Sequence, residues 1–182
     1  SDNGMPLLNY LFEHTEKIAI NNILCYINAD IILPPNLLDI VKLAYQKKKC
    51  LIVGNRWDLD IKQKINYSDS QWWIKLFDYA ISEGDWHKKG GIDYFIFPKK
   101  LWGKMPDIYL GLPGSDNWLI WRARRRRIPI IDISSSVYAV HQNHDYSHLG
   151  EINKNGYAIG DRKKGLNNYL SGPETSHNRK MI

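Results

Sequence analysis

Asp30 closes the tripeptide Asn28-Ala29-Asp30, which follows directly on the apolar run Ile23-Leu24-Cys25-Tyr26-Ile27 and precedes Ile31-Ile32-Leu33-Pro34-Pro35. A carboxylate at the end of a strand can hold a divalent cation, and such a cation neutralises the charge that builds on a departing diphosphate. Asn28 offers an amide oxygen to the same cation, or a hydrogen bond to a phosphate or ribose, without adding charge. Asn and Asp are also ordinary turn formers after strands, so the tripeptide alone specifies only a polar turn.

Four other side chains have suitable chemistry. His141 follows the apolar stretch 136–140 and is expected to project from the end of a late strand, where an imidazole is a competent manganese ligand. His144, Asp145 and His148 lie close by in sequence, and the spacing leaves open which of them ligates, meets phosphate or only hydrogen-bonds the loop. No cysteine accompanies these histidines, so the pattern does not match a closed tetrahedral zinc site. Asp116 follows Ser115, a residue suited to cap a helix. In the first helical turn its carboxylate is favoured in the ionised form that a general base requires, although acids also occur there with no chemistry at all. Asp93, in Gly90-Gly91-Ile92-Asp93-Tyr94, is expected at the mouth of a central strand, satisfied either by sugar hydroxyls or by neighbouring backbone N–H groups. Arg56 follows a strand and can pair with phosphate; its neighbour Trp57 suits either the core or a sugar platform.

The stretch 25–33 resembles the DxD region of glycosyltransferases with the GT-A fold, with Asn in the first acidic position. Val53-Gly54-Asn55-Arg56-Trp57-Asp58, Gly91-Ile92-Asp93-Tyr94-Phe95, Ser115-Asp116-Asn117-Trp118 and His141-Gln142-Asn143-His144-Asp145 look like further segments of the small GT-A-type domains of bacteria and large viruses. They occur in that family's order, over about residues 5 to 148. The resemblance implies a nucleotide-sugar donor, a glycan or other hydroxyl acceptor, and Mn2+ or Mg2+ as cofactor. It places Asp30 and His141 on the metal and Asp116 at the catalytic acid-rich loop, as the base of an inverting transfer, although a retaining enzyme can carry the same metal site with no obligatory base. Asn28 and Arg56 are then expected at the diphosphate and Asp93 on a sugar. A GT-A domain usually opens with a strand-helix pair that builds the base pocket, whereas this sequence leads straight into a helix. It therefore reads as part of a longer, multi-domain protein or as a reduced domain completed by another segment. The reading from a different class is a non-catalytic GT-A-like module that holds a glycan or partner chain.

The elements that must position these residues alternate. Apolar residues at helical spacing predict a helix over 5–20, followed by a buried strand at 23–27. Pro34-Pro35 is expected to open a helix that ends at 47–49. A strand at 51–53, a helix over 71–81, a strand at 92–97, a helix over 116–126 and a strand at 128–133 follow. This rhythm predicts an α/β fold, a single Rossmann-like GT-A-type domain whose mainly parallel open sheet is flanked by helices, with ligands at the strands' carboxyl ends. Residues 1–149 are expected to form that domain and 150–182 a polar tail.

The 182 residues, 43% hydrophobic and 12% aromatic, suffice for one domain with a core. No apolar run approaches the roughly 20 residues that span a bilayer, and the chain reads as soluble and cytoplasmic. Cys25 and Cys50 are expected as buried reduced thiols. Much of the net charge of +6 lies in Arg122 and Arg124–Arg127, at the negative end of a predicted helix. That run suits either a solvated, dipole-matched helix end or a peripheral membrane-surface contact. No RNA- or DNA-binding motif is present, and nucleic acid is not an expected partner.

Overall fold

A computed structural model describes residues 6–46, 49–87, 91–110 and 114–144. The expected tail at 150–182, together with Asp145 and His148, lies outside the described residues. Four helices, α1 (Leu8–Ile18), α2 (Leu37–Tyr45), α3 (Trp72–Glu83) and α4 (Ser115–Arg125), accompany eight strands. These are β1 (Ile23–Ile27), β2 (Ile31–Ile32), β3 (Leu51–Val53), β4 (Arg56–Leu59), β5 (Asp85–Trp86), β6 (Tyr94–Pro98), β7 (Ile130–Asp132) and β8 (Ala139–Gln142).

The strands form two four-stranded sheets, ordered β1-β6-β3-β7 and β2-β8-β4-β5. The fold is α/β as the alternation predicts, but the single mainly parallel sheet is not found: each described sheet is mixed. In the first sheet β3 pairs parallel with β7, while β6 lies antiparallel between β1 and β3. In the second, β8 pairs parallel with β4 and both outer pairings are antiparallel. Periodicity along the chain reports which segments are strands. Direction is set by the end of the sheet from which each connection re-enters, and β6 re-enters reversed after α3 and β5.

Side-chain alternation along the strands divides the core. Phe95 and Phe97 of β6, with Leu51 and Val53 of β3, face a cluster built with Leu8 and Phe12 of α1 and Trp118, Leu119 and Ala123 of α4. Tyr94 and Ile96, with Ile52, face the opposite way onto Leu37, Ile40 and Val41 of α2. The first sheet is therefore covered on both faces. Leu59 and Trp57 of β4 and Val140 of β8 pack on Leu76 and Ala80 of α3, so helix α3 covers one face of the second sheet. By the same alternation Arg56, Asp58 and His141 belong to the other face.

Local details differ from expectation at four points. Helix α2 starts at Leu37, two residues after Pro35, with Asn36 at its cap position. Gly114, at φ 104°, occupies the cap position of α4, and Ser115 is already helical, so no serine side chain caps that helix. A glycine fits there because this left-handed backbone carries no Cβ penalty. His141 lies inside β8 instead of beyond a strand ending at 140. Cys50 is buried as expected, but Cys25 is exposed on β1.

Candidate metal centre

The second sheet assembles the centre through register. Strand β8 runs between β2 and β4, so His141 has Ile31 beside it on one strand and Asp58 on the other. Asp30 immediately precedes Ile31, and its carbonyl accepts a 2.9 Å hydrogen bond from the Gln142 N–H, which fixes the turn of Asn28-Ala29-Asp30 against the end of β8. His141 is thus flanked by two carboxylates contributed by segments far apart in sequence.

One oxygen of Asp30, Oδ2, lies 3.0 Å from His144 Nε2 and 3.4 Å from His141 Nε2. The ligand atoms of Asp30, His141 and His144 all fall within 4.8 Å of one another. Donors that share one ion at about 2.1 Å are separated by about 3.0 to 3.4 Å, which the two Asp30 Oδ2 separations match, while the two histidine donors need only lie somewhat closer than the 4.8 Å bound. A second observation agrees: Asp30 Oδ1 is buried and has no hydrogen-bond partner among the described residues. An orphaned carboxylate oxygen is costly unless something else satisfies it, and a cation would. His141 has only 6% of its side chain exposed. Burial pushes its imidazole below the ordinary histidine value, as does the Arg56 charge, against the opposing pull of Asp30 and Asp58. The neutral form thereby favoured is the one that ligates metals.

Behind His141 stands Asp58. Its Oδ1 is 3.0 Å from His141 Nδ1, although off the hydrogen-bond axis, so that buried nitrogen has no aligned acceptor. Arg56 Nε donates to the same Oδ1 at 2.8 Å, and His87 Nδ1 meets Oδ2 at 2.5 Å. Burial pushes the Asp58 carboxyl up, but the hydrogen bonds from His87 and Arg56, with their charges, outweigh it and hold the group below the ordinary carboxylate value. Gly91 is required beside this cluster, since a Cβ there would lie 2.4 Å from the His87 ring.

Asn28, Arg56 and Asp93 form the adjoining part of the same polar face. Asp93 Oδ1 accepts a 2.8 Å hydrogen bond from the Asn28 amide, and Asp93 Oδ2 is ion-paired with Arg56 Nη1. Its backbone carbonyl also accepts from the Asn28 N–H at 3.0 Å. Asp93 is therefore satisfied, among the described residues, by the side chains of Asn28 and Arg56. The Arg56 guanidinium, 11% exposed, bridges two carboxylates.

Asp116 stands apart from the Asp30, His141 and His144 cluster. It lies in the first turn of α4 as predicted, on the side of Tyr26, whose hydroxyl is pushed up by burial and then by the Asp116 charge. Trp57 belongs to the α3 core, and Trp118 is buried in the first core cluster. Arg122 stays at the helix end, donating 3.2 Å hydrogen bonds to the carbonyls of Trp102 and Lys104, while Arg124–Arg127 are exposed.

A cleft of about 490 Å3 opens beside the cluster, lined by Asp30, Ala29, Gln142, Lys64 and Tyr67 among others. A second, of about 520 Å3, lies between residues 61–66 and the Trp72, Lys75 and Tyr79 face of α3, and it shares Lys64 with the first.

Sequence reasoning left His144 unassigned and passed over Asp58 and His87. Arg56 and Asp58 are two apart on a strand, which places both on one face, and that spacing was the available signal for Asp58. Nothing local pointed to His87; it joins because β5 pairs with β4. No protein-family profile matches the chain, and a search of curated proteins finds no match.

Proposed function

We propose that this chain is a GT-A-type glycosyltransferase domain that moves a sugar from a nucleotide-sugar donor to a glycan or other hydroxyl acceptor, with inversion. The observation that carries the reading is the convergence of Asp30 Oδ2, His141 and His144 beside an open cleft, with the other Asp30 oxygen, Oδ1, buried and without a hydrogen-bond partner among the described residues. Asp30, His141 and His144 would hold a divalent ion, and such an ion supplies charge stabilisation for the departing diphosphate. Two imidazoles and a carboxylate suit manganese better than magnesium, which prefers oxygen ligands. Asn28 stands at the turn after β1, beside Asp30 in sequence, and would support the diphosphate. Asp116 is the assigned base: it takes the acceptor hydroxyl proton as that oxygen bonds to the anomeric carbon, while the bond from this carbon to the diphosphate oxygen breaks.

One observation favours a second reading, a non-catalytic GT-A-like module. Arg56 and the Asn28 amide, both expected at the diphosphate, are engaged by Asp93 and Asp58. Calorimetric titration with UDP, GDP and their sugar conjugates, with and without Mn2+, separates the two. Manganese-dependent binding that Asp30→Ala abolishes is the expected result. Absence of nucleotide binding, with retained binding of a glycan, overturns the enzyme reading in favour of the module.

A further inference from the structure

We propose that Asp58 is a positioning residue for His141, fixing which imidazole nitrogen faces the Asp30 and His144 side; this deepens the cation-site reading and rests on it. Two contacts of His141 motivate the assignment. Its Nδ1 is buried and lies 3.0 Å from Asp58 Oδ1, off the hydrogen-bond axis but closer than the 3.4 Å that separates its Nε2 from Asp30 Oδ2. The nearer carboxylate charge favours the single imidazole proton on Nδ1, where a small rotation aligns it with Oδ1, and leaves the Nε2 lone pair for the cluster.

A carboxylate does this well only if it cannot move. Asp58 is held on both oxygens, by Arg56 Nε at 2.8 Å and His87 Nδ1 at 2.5 Å, and Arg56 is anchored in turn by Asp93. The backbone adds its own constraint: Asp58 and His141 are register partners on adjacent parallel strands, so their side chains emerge side by side on one sheet face. The Arg56, Asp58 and His87 group thereby acts on the site without being among the ligands. This explains why a polar network of four charged or ionisable side chains sits under a single histidine.

The test uses Co2+ as a spectroscopic probe on the full chain, wild type against Asp58→Ala and Asp58→Asn, with thermal melting of each metal-free protein as the folding control. Loss of such an outer partner costs roughly 10- to 100-fold in metal affinity. Asp58→Ala is expected to weaken Co2+ binding by that factor and alter its visible absorption, with Asp58→Asn, which keeps an acceptor oxygen, falling between it and wild type. Folded Asp58→Ala with wild-type Co2+ affinity and spectrum overturns the assignment alone. Wild-type protein that takes up no Co2+ overturns the cation reading and this inference with it. Should Asp58→Ala fail to fold, 15N NMR of wild-type His141 decides: a proton on Nδ1 supports the role, and a proton on Nε2 refutes it.

Discussion

Replacing Arg56 with Met tests the electrostatic logic of the whole polar face. Arg56 is 11% exposed and pairs with Asp58 and Asp93, themselves 21% and 14% exposed. Methionine keeps much of the aliphatic stem but removes the guanidinium from two carboxylates in a region with little water, leaving Asp58 with His87 and Asp93 with Asn28. Removing one partner of a buried pair costs about 3–5 kcal/mol, because the charge left behind is uncompensated. The residual exposure of both carboxylates argues for the lower end, about 3 kcal/mol. For a chain of this size that lowers the melting temperature by roughly 6–12 °C.

Urea unfolding of wild type and Arg56→Met across pH is the assay, and the sign of its pH dependence follows from Asp58. Its folded pKa is held below the ordinary value, so its contribution is present above the unfolded carboxylate range and is lost as pH falls through the lower folded value. In the variant the Arg56 share of that contribution is absent while the His87 hydrogen bond remains, and protonation relieves the carboxylates that have lost their guanidinium. The gap between the two proteins should therefore be widest near neutrality and narrow on acidification. A loss below about 1 kcal/mol at neutral pH, the range of exposed ion pairs, would refute the claim that this network is desolvated and holds the site together.

Gly54 joins β3 to β4, and a Cβ there would lie 1.9 Å from the Tyr94 hydroxyl oxygen and 2.8 Å from Cζ. Tyr94 is fully buried and cannot swing away, so Gly54→Ala should cost about 1–3 kcal/mol in urea unfolding, and adding Tyr94→Phe should recover only part of it. Asp69 is held below the ordinary carboxylate value by a hydrogen bond from Lys75 and then by the Gln71 N–H; an NMR titration should find its midpoint low, and Lys75→Met should raise it. Because that folded value is depressed, the stability Asp69 adds is present above the unfolded value and disappears as pH falls through the folded one. Asp116→Ala should abolish sugar transfer while leaving Mn2+-dependent donor binding intact, and near-normal turnover would remove Asp116 from the mechanism.

What the sequence by itself determined was local. Apolar periodicity placed α1, α2, α3, α4 and the strands β1, β3, β6 and β7 to within a few residues, because burial of one face leaves a repeat that any window of the chain displays. It also marked Asp30 and His141, since each adjoins an apolar strand segment and carries a side chain able to hold a cation. The two-residue strands β2 and β5 were not legible, because two residues are too short to show alternation. Strand direction was not legible either, because apolar alternation reads the same both ways along a strand, so a mainly parallel sheet was expected where the described sheets are mixed.

Only the tertiary structure decided which polar residues meet. Asp58 faces His141 because β4 and β8, separated by some eighty residues, pair in parallel with those two residues in register. One step of slippage would have set Trp57 or Leu59 there and turned the carboxylate toward the α3 core. Arg56, a phosphate ligand when read alone, is engaged by two carboxylates once Asp93 arrives on the segment that leads into β6. A sequence states the charge each residue carries; the fold determines how much water remains around it and which opposite charge lies within reach, and those two quantities separate a ligand from a strut.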